Sequence, residues 1–157
     1  MDPGLDVTVC EPSLQTLQTP HRGWSLGGIP LQCLALSLDY ARTRVQFGRS
    51  IGEFQLIQLK LAKMEVARMN LQMMVFRQIE MAAAGKPMSL TEASACKLYA
   101  AGAAVEVALE AVQVFGGNGY MAEFQVEQLC RDAKVLQIYA GTDEIQVSQI
   151  ARNLLGR

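Results

Sequence analysis

Three stretches of this chain place residues able to hold an anion at spacings that helix ends would expose. The first is the run Arg131-Asp-Ala-Lys-Val-Leu-Gln-Ile-Tyr-Ala-Gly-Thr-Asp-Glu-Ile-Gln146. Val135, Leu136 and Ile138 continue an apolar face, and Gly141 stands where a helix would close in a left-handed cap. Thr142 is then the expected N-cap of a new helix, with Asp143 and Glu144 in its first turn, where the helix dipole favours acids. A hydroxyl beside unpaired backbone N–H groups suits a phosphate or an anionic oxygen. A plain structural corner is the commoner outcome of the same residues.

The second stretch sets Arg42, Arg44 and Arg49 around Gln46-Phe47-Gly48. Cations complement a helix C-terminus; a guanidinium also grips a phosphate with two parallel hydrogen bonds. The third is Gln113 followed by Gly116 and Gly117, which could offer an amide and bare backbone to a cofactor, or simply end a helix. Other chemistries are excluded more firmly. The only histidine is His21, so the Glu-x-x-His pairs of a di-iron bundle are absent and a nucleophilic triad has no base; no metal is expected. The net charge of −1 is wrong for a nucleic-acid surface.

The elements that must position these residues read as helices. The chain has 157 residues, enough for one domain with a real core. Half of them are apolar, aromatics are few and eight are Met, a composition that fills helical interfaces. Residues 1–27, rich in Pro, Thr, Gln and Gly, are expected to form an irregular arm. From there a helix runs to about Phe47, on the spacing of Leu31, Leu34, Leu38, Ala41 and Val45. A second covers about 53–84 and ends at Gly85-Lys86-Pro87. Its face of Ile57, Leu61, Met64, Leu71 and Val75 is widened by Leu59, Val66, Met69, Met73 and Phe76, so it needs cover on more than one side. Ser89-Leu-Thr-Glu92 matches a capping box and opens a third helix to Phe115. Its stripe is Ala93, Cys96, Ala100, Ala103, Val107, Ala111 and Val114. Gly116 to Tyr120 is a flexible turn. A fourth helix spans roughly 125–139 and a fifth roughly 142–155. No strand pattern is visible, and the expected fold is an all-α, up-and-down four-helix bundle over 28–157.

Cys10, Cys33, Cys96 and Cys130 form neither a disulfide framework nor a zinc site, and fit a reducing compartment, cytoplasmic or like the mitochondrial matrix. The acidic N-terminus has no apolar segment of the signal-peptide kind. The longest uncharged run, Gly23 to Leu38, is interrupted by Gly27, Gly28 and Pro30, and no membrane span is expected.

Five segments occur in a telling order: Tyr40-Ala-Arg-Thr-Arg-Val-Gln-Phe-Gly48, Phe54-Gln-Leu-Ile-Gln58, Gln113-Val-Phe-Gly-Gly-Asn-Gly-Tyr120, Leu129-Cys-Arg-Asp-Ala-Lys134 and Tyr139-Ala-Gly-Thr-Asp-Glu-Ile-Gln146. Together they closely resemble the C-terminal helical domain of the acyl-CoA dehydrogenases, over about 28–155. The resemblance implies a bundle forming one third of a flavoprotein subunit, FAD as cofactor, an acyl-CoA thioester as substrate once other domains complete the site, and homo-oligomers (a dimer or a dimer of dimers). Position by position, it implies that Arg44 and Phe47 meet the FAD pyrophosphate and its surroundings, and that Gln55 is a further FAD contact. It likewise implies that Gln113 and Gly117 reach the adenine half of a partner's FAD, and that Thr142 and Glu144 touch FAD beside the active site.

One departure matters for the reaction. In many family members the position of Ala140 is a Glu that removes the α-proton as the β-hydride passes to the flavin, and alanine cannot do this. A minority carry the Glu on the helix before the Tyr-Ala-Arg segment; that site falls near Gln18, beside Thr19, and Gln15–Gly27 holds no acid. Glu144 is not an obvious substitute. The family's N-terminal helical and middle β domains have no counterpart in this sequence. The reading is an FAD-dependent acyl-CoA dehydrogenase-type domain with weak or no turnover by itself. The alternatives are a non-catalytic module that assembles with, or completes the FAD site of, a base-bearing partner subunit, and a plain helical scaffold.

Overall fold

A computed structural model describes residues 28–86 and 88–156. The expected N-terminal arm, with His21, Gln18 and Thr19, lies outside these residues. In chain order the elements are α1 (Gly28–Thr43), β1 (Val45–Gln46), β2 (Arg49–Ser50), α2 (Gln55–Ala83), α3 (Leu90–Phe115), α4 (Val126–Val135) and α5 (Asp143–Leu154). The fold is all-α, as expected, except for the two-residue strands, which the sequence reading did not foresee.

Five helices make four legs. Lys60 of α2 pairs with Glu110 of α3, and Asn70 of α2 donates to the Tyr99 hydroxyl at 2.9 Å, so α2 runs antiparallel to α3. Phe124, just before α4, packs on Phe115 at the end of α3. Lys97 meets Asp143, and Ser94 donates to Gln149 Oε1 at 2.7 Å. The line α4–corner–α5 therefore descends along α3 as the single fourth leg, broken midway.

Helix α3 is the central post, in contact with every other helix. Its capping box is formed in both directions: the Glu92 N–H donates to Ser89 Oγ, and the Ser89 N–H donates to the Glu92 carboxylate. Ala101, Ala104, Ala108 and Ala111 are fully buried, and their small side chains let α1 and α4 approach closely. Among the described residues α3, with the turn after it, is long and apolar enough to cross a membrane. Half of its most apolar 18-residue window is buried by the bundle, as in a core helix.

Two faces differ from the sequence reading. On α1 the buried set is Ile29, Pro30, Cys33, Leu34, Ser37 and Ala41, while Leu31 and Val45 point to solvent. The helix also stops at Thr43, because the chain turns into the hairpin. On α2 only Met64 and Leu71 are buried; Leu59, Val66, Met69, Met73 and Phe76 form an exposed stripe that this chain does not cover. Helix α4 ends at Val135, four residues before its expected end. Leu136, Gln137 and Ile138 donate to the carbonyls three residues back, a tightening that closes the helix.

Candidate functional site

Between α1 and α2 the chain makes a tight hairpin, Val45 opposite Ser50 and Gln46 opposite Arg49. Its two-residue loop is Phe47-Gly48, with φ of 52° and 79°. A two-residue loop with both φ positive matches strand twist, but it ordinarily takes Asn or Asp before Gly. A bulky aromatic in the left-handed region is strained by about 1–2 kcal/mol. Phe47 is nevertheless 92% exposed. Its ring only edges onto Phe54, with centroids 6.2 Å apart, and Arg49 lies over the other partner, its guanidinium carbon 4.3 Å from the Phe54 centroid. The hairpin is anchored from behind: Ser50 Oγ donates to the Ala41 carbonyl at 2.9 Å, and the Ile51 N–H to the Arg44 carbonyl at 2.9 Å.

Arg42, Arg44 and Arg49 are all exposed, and none takes part in an ion pair among the described residues. Gln55, also exposed, begins α2 directly behind Phe54. The end of α3 joins the same region, because Val114 packs with Ala41 and Ile51. Gln113 and Gly117 are exposed there. The following turn is packed rather than loose on its far side. Asn118 donates to the Tyr40 hydroxyl at 2.8 Å, and a Cβ on Gly119 would stand 2.4 Å from the Val112 carbonyl oxygen. Gly116 and Gly117 instead have open space beside them.

Thr142 and Glu144 lie elsewhere, on the α4–α5 corner level with Lys97. Sixteen residues of α3 separate that level from Gln113, about 24 Å at 1.5 Å per residue. Gly141 has the expected left-handed φ, 87°, but it does not cap α4, which closes five residues earlier at Leu136; Ala140 is left-handed as well, at 52°. Thr142 is the N-cap of α5 by position, yet its side chain does not cap the helix. Its hydroxyl instead is the main cause holding the Glu144 carboxyl below the usual range, helped by the backbone N–H of Glu144 and by the charges of Lys134 and Lys97. Glu144 is thus a carboxylate at neutral pH. Gln146 is buried, and its Nε2 donates to the Ala140 and Gly141 carbonyls at 3.3 and 3.2 Å.

The structure thus gathers Arg44, Phe47, Gln55, Gln113 and Gly117 at one end of the bundle and Thr142 with Glu144 midway along the fourth leg. Sequence reasoning missed the hairpin, the double left-handed corner, Gln146 and Lys97. Two signals were present: an X-Gly pair between short β-compatible segments, and a lysine leading the fully buried 101, 104, 108, 111 stripe.

The chain belongs to the acyl-CoA dehydrogenase family: residues 21–155 match the family's C-terminal domain. An acyl-CoA dehydrogenase of Bacillus subtilis is 46% identical over 129 residues, which are 82% of this chain and 34% of that protein. The butyryl-CoA dehydrogenase structure from Megasphaera elsdenii superposes with a TM-score of 0.78 at 38% identity, covering 83% of this chain and 34% of that one. Glutaryl-CoA dehydrogenase from Mycobacterium smegmatis gives a TM-score of 0.84 at 28% identity, over 95% of this chain and 37% of that one. The chain therefore spans about a third of the length of these relatives.

Proposed function

We propose that this domain is the cofactor-cradling bundle of an FAD-dependent acyl-CoA dehydrogenase-type oxidoreductase, acting on an acyl-CoA thioester when other domains complete the site. The observation that carries this is the hairpin. A strained, exposed Phe47 sits among Arg42, Arg44 and Arg49, three guanidiniums that no carboxylate neutralises among the described residues. Local strain of this kind persists where the surrounding structure holds it for a purpose. Unpaired guanidiniums beside an exposed ring fit a dinucleotide, which presents a pyrophosphate and flat rings.

In this reading Arg44 grips the pyrophosphate and Phe47 packs beside it, with Gln55 as a neighbouring polar contact. Gln113 and Gly117 offer an amide and open backbone to the adenine half of a partner subunit's FAD. Thr142 and Glu144, about 24 Å away along α3, meet FAD beside the active site. That separation suits a chain that contributes to two cofactors, its own and a partner's. Bound there, the flavin would supply the acceptor for the substrate's β-hydride.

Ala140 stands at the position where many relatives carry the base, and no carboxylate is available from an alanine. Turnover by this chain alone is therefore weak or nil. A panel of acyl-CoA thioesters should leave the flavin of the FAD-loaded protein oxidised; bleaching at an ordinary dehydrogenase rate would contradict this.

A second reading, a non-catalytic module that assembles with itself or completes a base-bearing partner's site, is favoured by the exposed stripe of α2. Leu59, Val66, Met69, Met73 and Phe76 recur at steps of seven, three, four and three residues, as in helix-to-helix seams. The stripe also supports a dimer or tetramer under the first reading. Activity that appears only on mixing with a longer relative would favour the module. The cysteine spacing supports a reducing compartment, cytoplasmic or like the mitochondrial matrix.

A further inference from the structure

Lys97 carries a charge at the head of the most buried stripe in the protein. Its side chain is only 16% exposed, in line with Ala101, Ala104 and Ala108. A lysine in such a place is costly unless its ammonium is paired and hydrogen-bonded. Here the Nζ donates to the Gly141 carbonyl at 2.8 Å and to Asp143 Oδ1 at 3.3 Å. Both acceptors belong to the α4–α5 corner, on the leg that runs beside α3. The Gly141 carbonyl also accepts from Gln146 Nε2, and the Asp143 N–H donates to the Gln137 carbonyl at 3.1 Å.

Two consecutive left-handed residues are an unfavourable backbone, more so because Ala140 has a Cβ. Gln146 closes the corner from within α5 itself, so it moves with that helix. The ammonium of Lys97 is the tie that comes from outside, from the rigid central post. Ser94, one turn earlier on α3, adds a second tie to α5 through Gln149, but well beyond the corner.

We propose that Lys97 is a positioning residue that holds the 140–143 corner in its left-handed form and so sets where Ala140, Thr142 and Glu144 face. Without it, the corner relaxes toward an ordinary turn, α5 loses its register at Asp143, and Thr142 and Glu144 lose their fixed relation to α3. The ammonium's charge also reaches Glu144, which it helps to keep ionised. The meaning of this for flavin rests on the function proposed above, but the corner can be measured without flavin, so the two can fail separately.

The test is hydrogen exchange, residue by residue, on the full 157-residue chain and on Lys97→Met and Lys97→Arg, with Glu144 titrated by NMR in each. Lys97→Met is expected to speed exchange at Asp143 and Gln146 by tenfold or more relative to the amides of α2, and to raise the Glu144 titration midpoint. Lys97→Arg, which keeps the charge and the donors, is expected to restore both. If Lys97→Met does not fold, Lys97→Gln, polar but too short to reach Gly141, carries the same expectation. Exchange that rises equally along the whole chain, or a corner and a Glu144 titration that do not change, would overturn the proposal. FAD affinity in the same variants then reports on the flavin link alone.

Discussion

The rings of Tyr40 and Phe115 stack with centroids 4.0 Å apart and planes 14° from parallel. This one contact joins the end of α1, from which the Arg44 hairpin springs, to the end of α3, from which the Gly116–Tyr120 turn springs. The Tyr40 hydroxyl then accepts from Asn118 in that turn. Two segments more than seventy positions apart are thereby held as one surface. Phe115→Ala should cost about 3–5 kcal/mol, as a buried aromatic does. Tyr40→Phe keeps the stack and loses only the hydrogen bond, at about 1 kcal/mol. Urea unfolding of the two variants checks both values; equal losses would mean the ring contact does not join the ends.

The glycine turn divides into a structural half and a free half. A Cβ at Gly119 meets the Val112 carbonyl oxygen and Cα at 2.4 and 2.9 Å, backbone that cannot step aside. Gly119→Ala should destabilise by about 3 kcal/mol, the upper end for overpacking. Gly117→Ala meets nothing within 4 Å and should stay within about 0.5 kcal/mol of the parent. Thermal melts separate the two. Only the Gly117 variant can then be used to ask about a cofactor.

Two buried serines should respond in opposite ways. Ser37 is fully buried on α1 and its hydroxyl has no partner among the described residues, so Ser37→Ala should be neutral or stabilising by up to about 1 kcal/mol. Ser94 donates to Gln149 across the α3–α5 seam, and Ser94→Ala should cost about 1 kcal/mol. Chemical denaturation midpoints decide; a large loss at Ser37 would reveal a bond the packing does not account for.

Stability should fall at both ends of the pH range, for separate reasons. Burial, with Cys130 nearby, pushes the Cys33 thiol from its ordinary 9.0 up to about 12. Above the ordinary value the unfolded chain releases this proton while the folded chain keeps it. Folding is thus fully favoured below pH 9 and loses up to about 1.4 kcal/mol per pH unit above it, as the pH climbs toward the raised value. Glu92 is the reverse case, held below its usual 4.5 by the Ser89 backbone and hydroxyl. Its contribution is present above that value and disappears as the pH falls below it. Midpoints measured against pH should flatten on the alkaline side in Cys33→Ala and on the acid side in Ser89→Ala.

Much of this was legible in the sequence, because helix periodicity and cap residues act locally. The capping box at Ser89 and Glu92 and the left-handed Gly141 follow from residue type alone. What was not legible depends on contacts distant in sequence. Leu31 and Val45 keep helical spacing yet face solvent, because α3 meets α1 along the 30, 33, 37, 41 line. Phe47 breaks the rule for its turn, so the hairpin was hidden by the residue that makes it interesting. Ala140 gives no sign of its φ; the corner it belongs to is bonded by Gln146 from within α5 and by Lys97 from α3. The cover expected on more than one side of α2 is not found within this chain, where all five of its widening residues are exposed.

The central claim is that the hairpin end of the bundle holds a flavin dinucleotide. Equilibrium dialysis of the 157-residue chain against FAD, read by visible absorption, tests it most directly, with Arg44→Ala as the paired variant. Arg44 is exposed and outside every ion pair described above, so its removal should leave the melting temperature unchanged. The expected result is saturable flavin uptake by the parent and at least tenfold weaker uptake by the variant, equivalent to about 1.4 kcal/mol. No saturable uptake by the parent, or equal uptake by both, would contradict the claim.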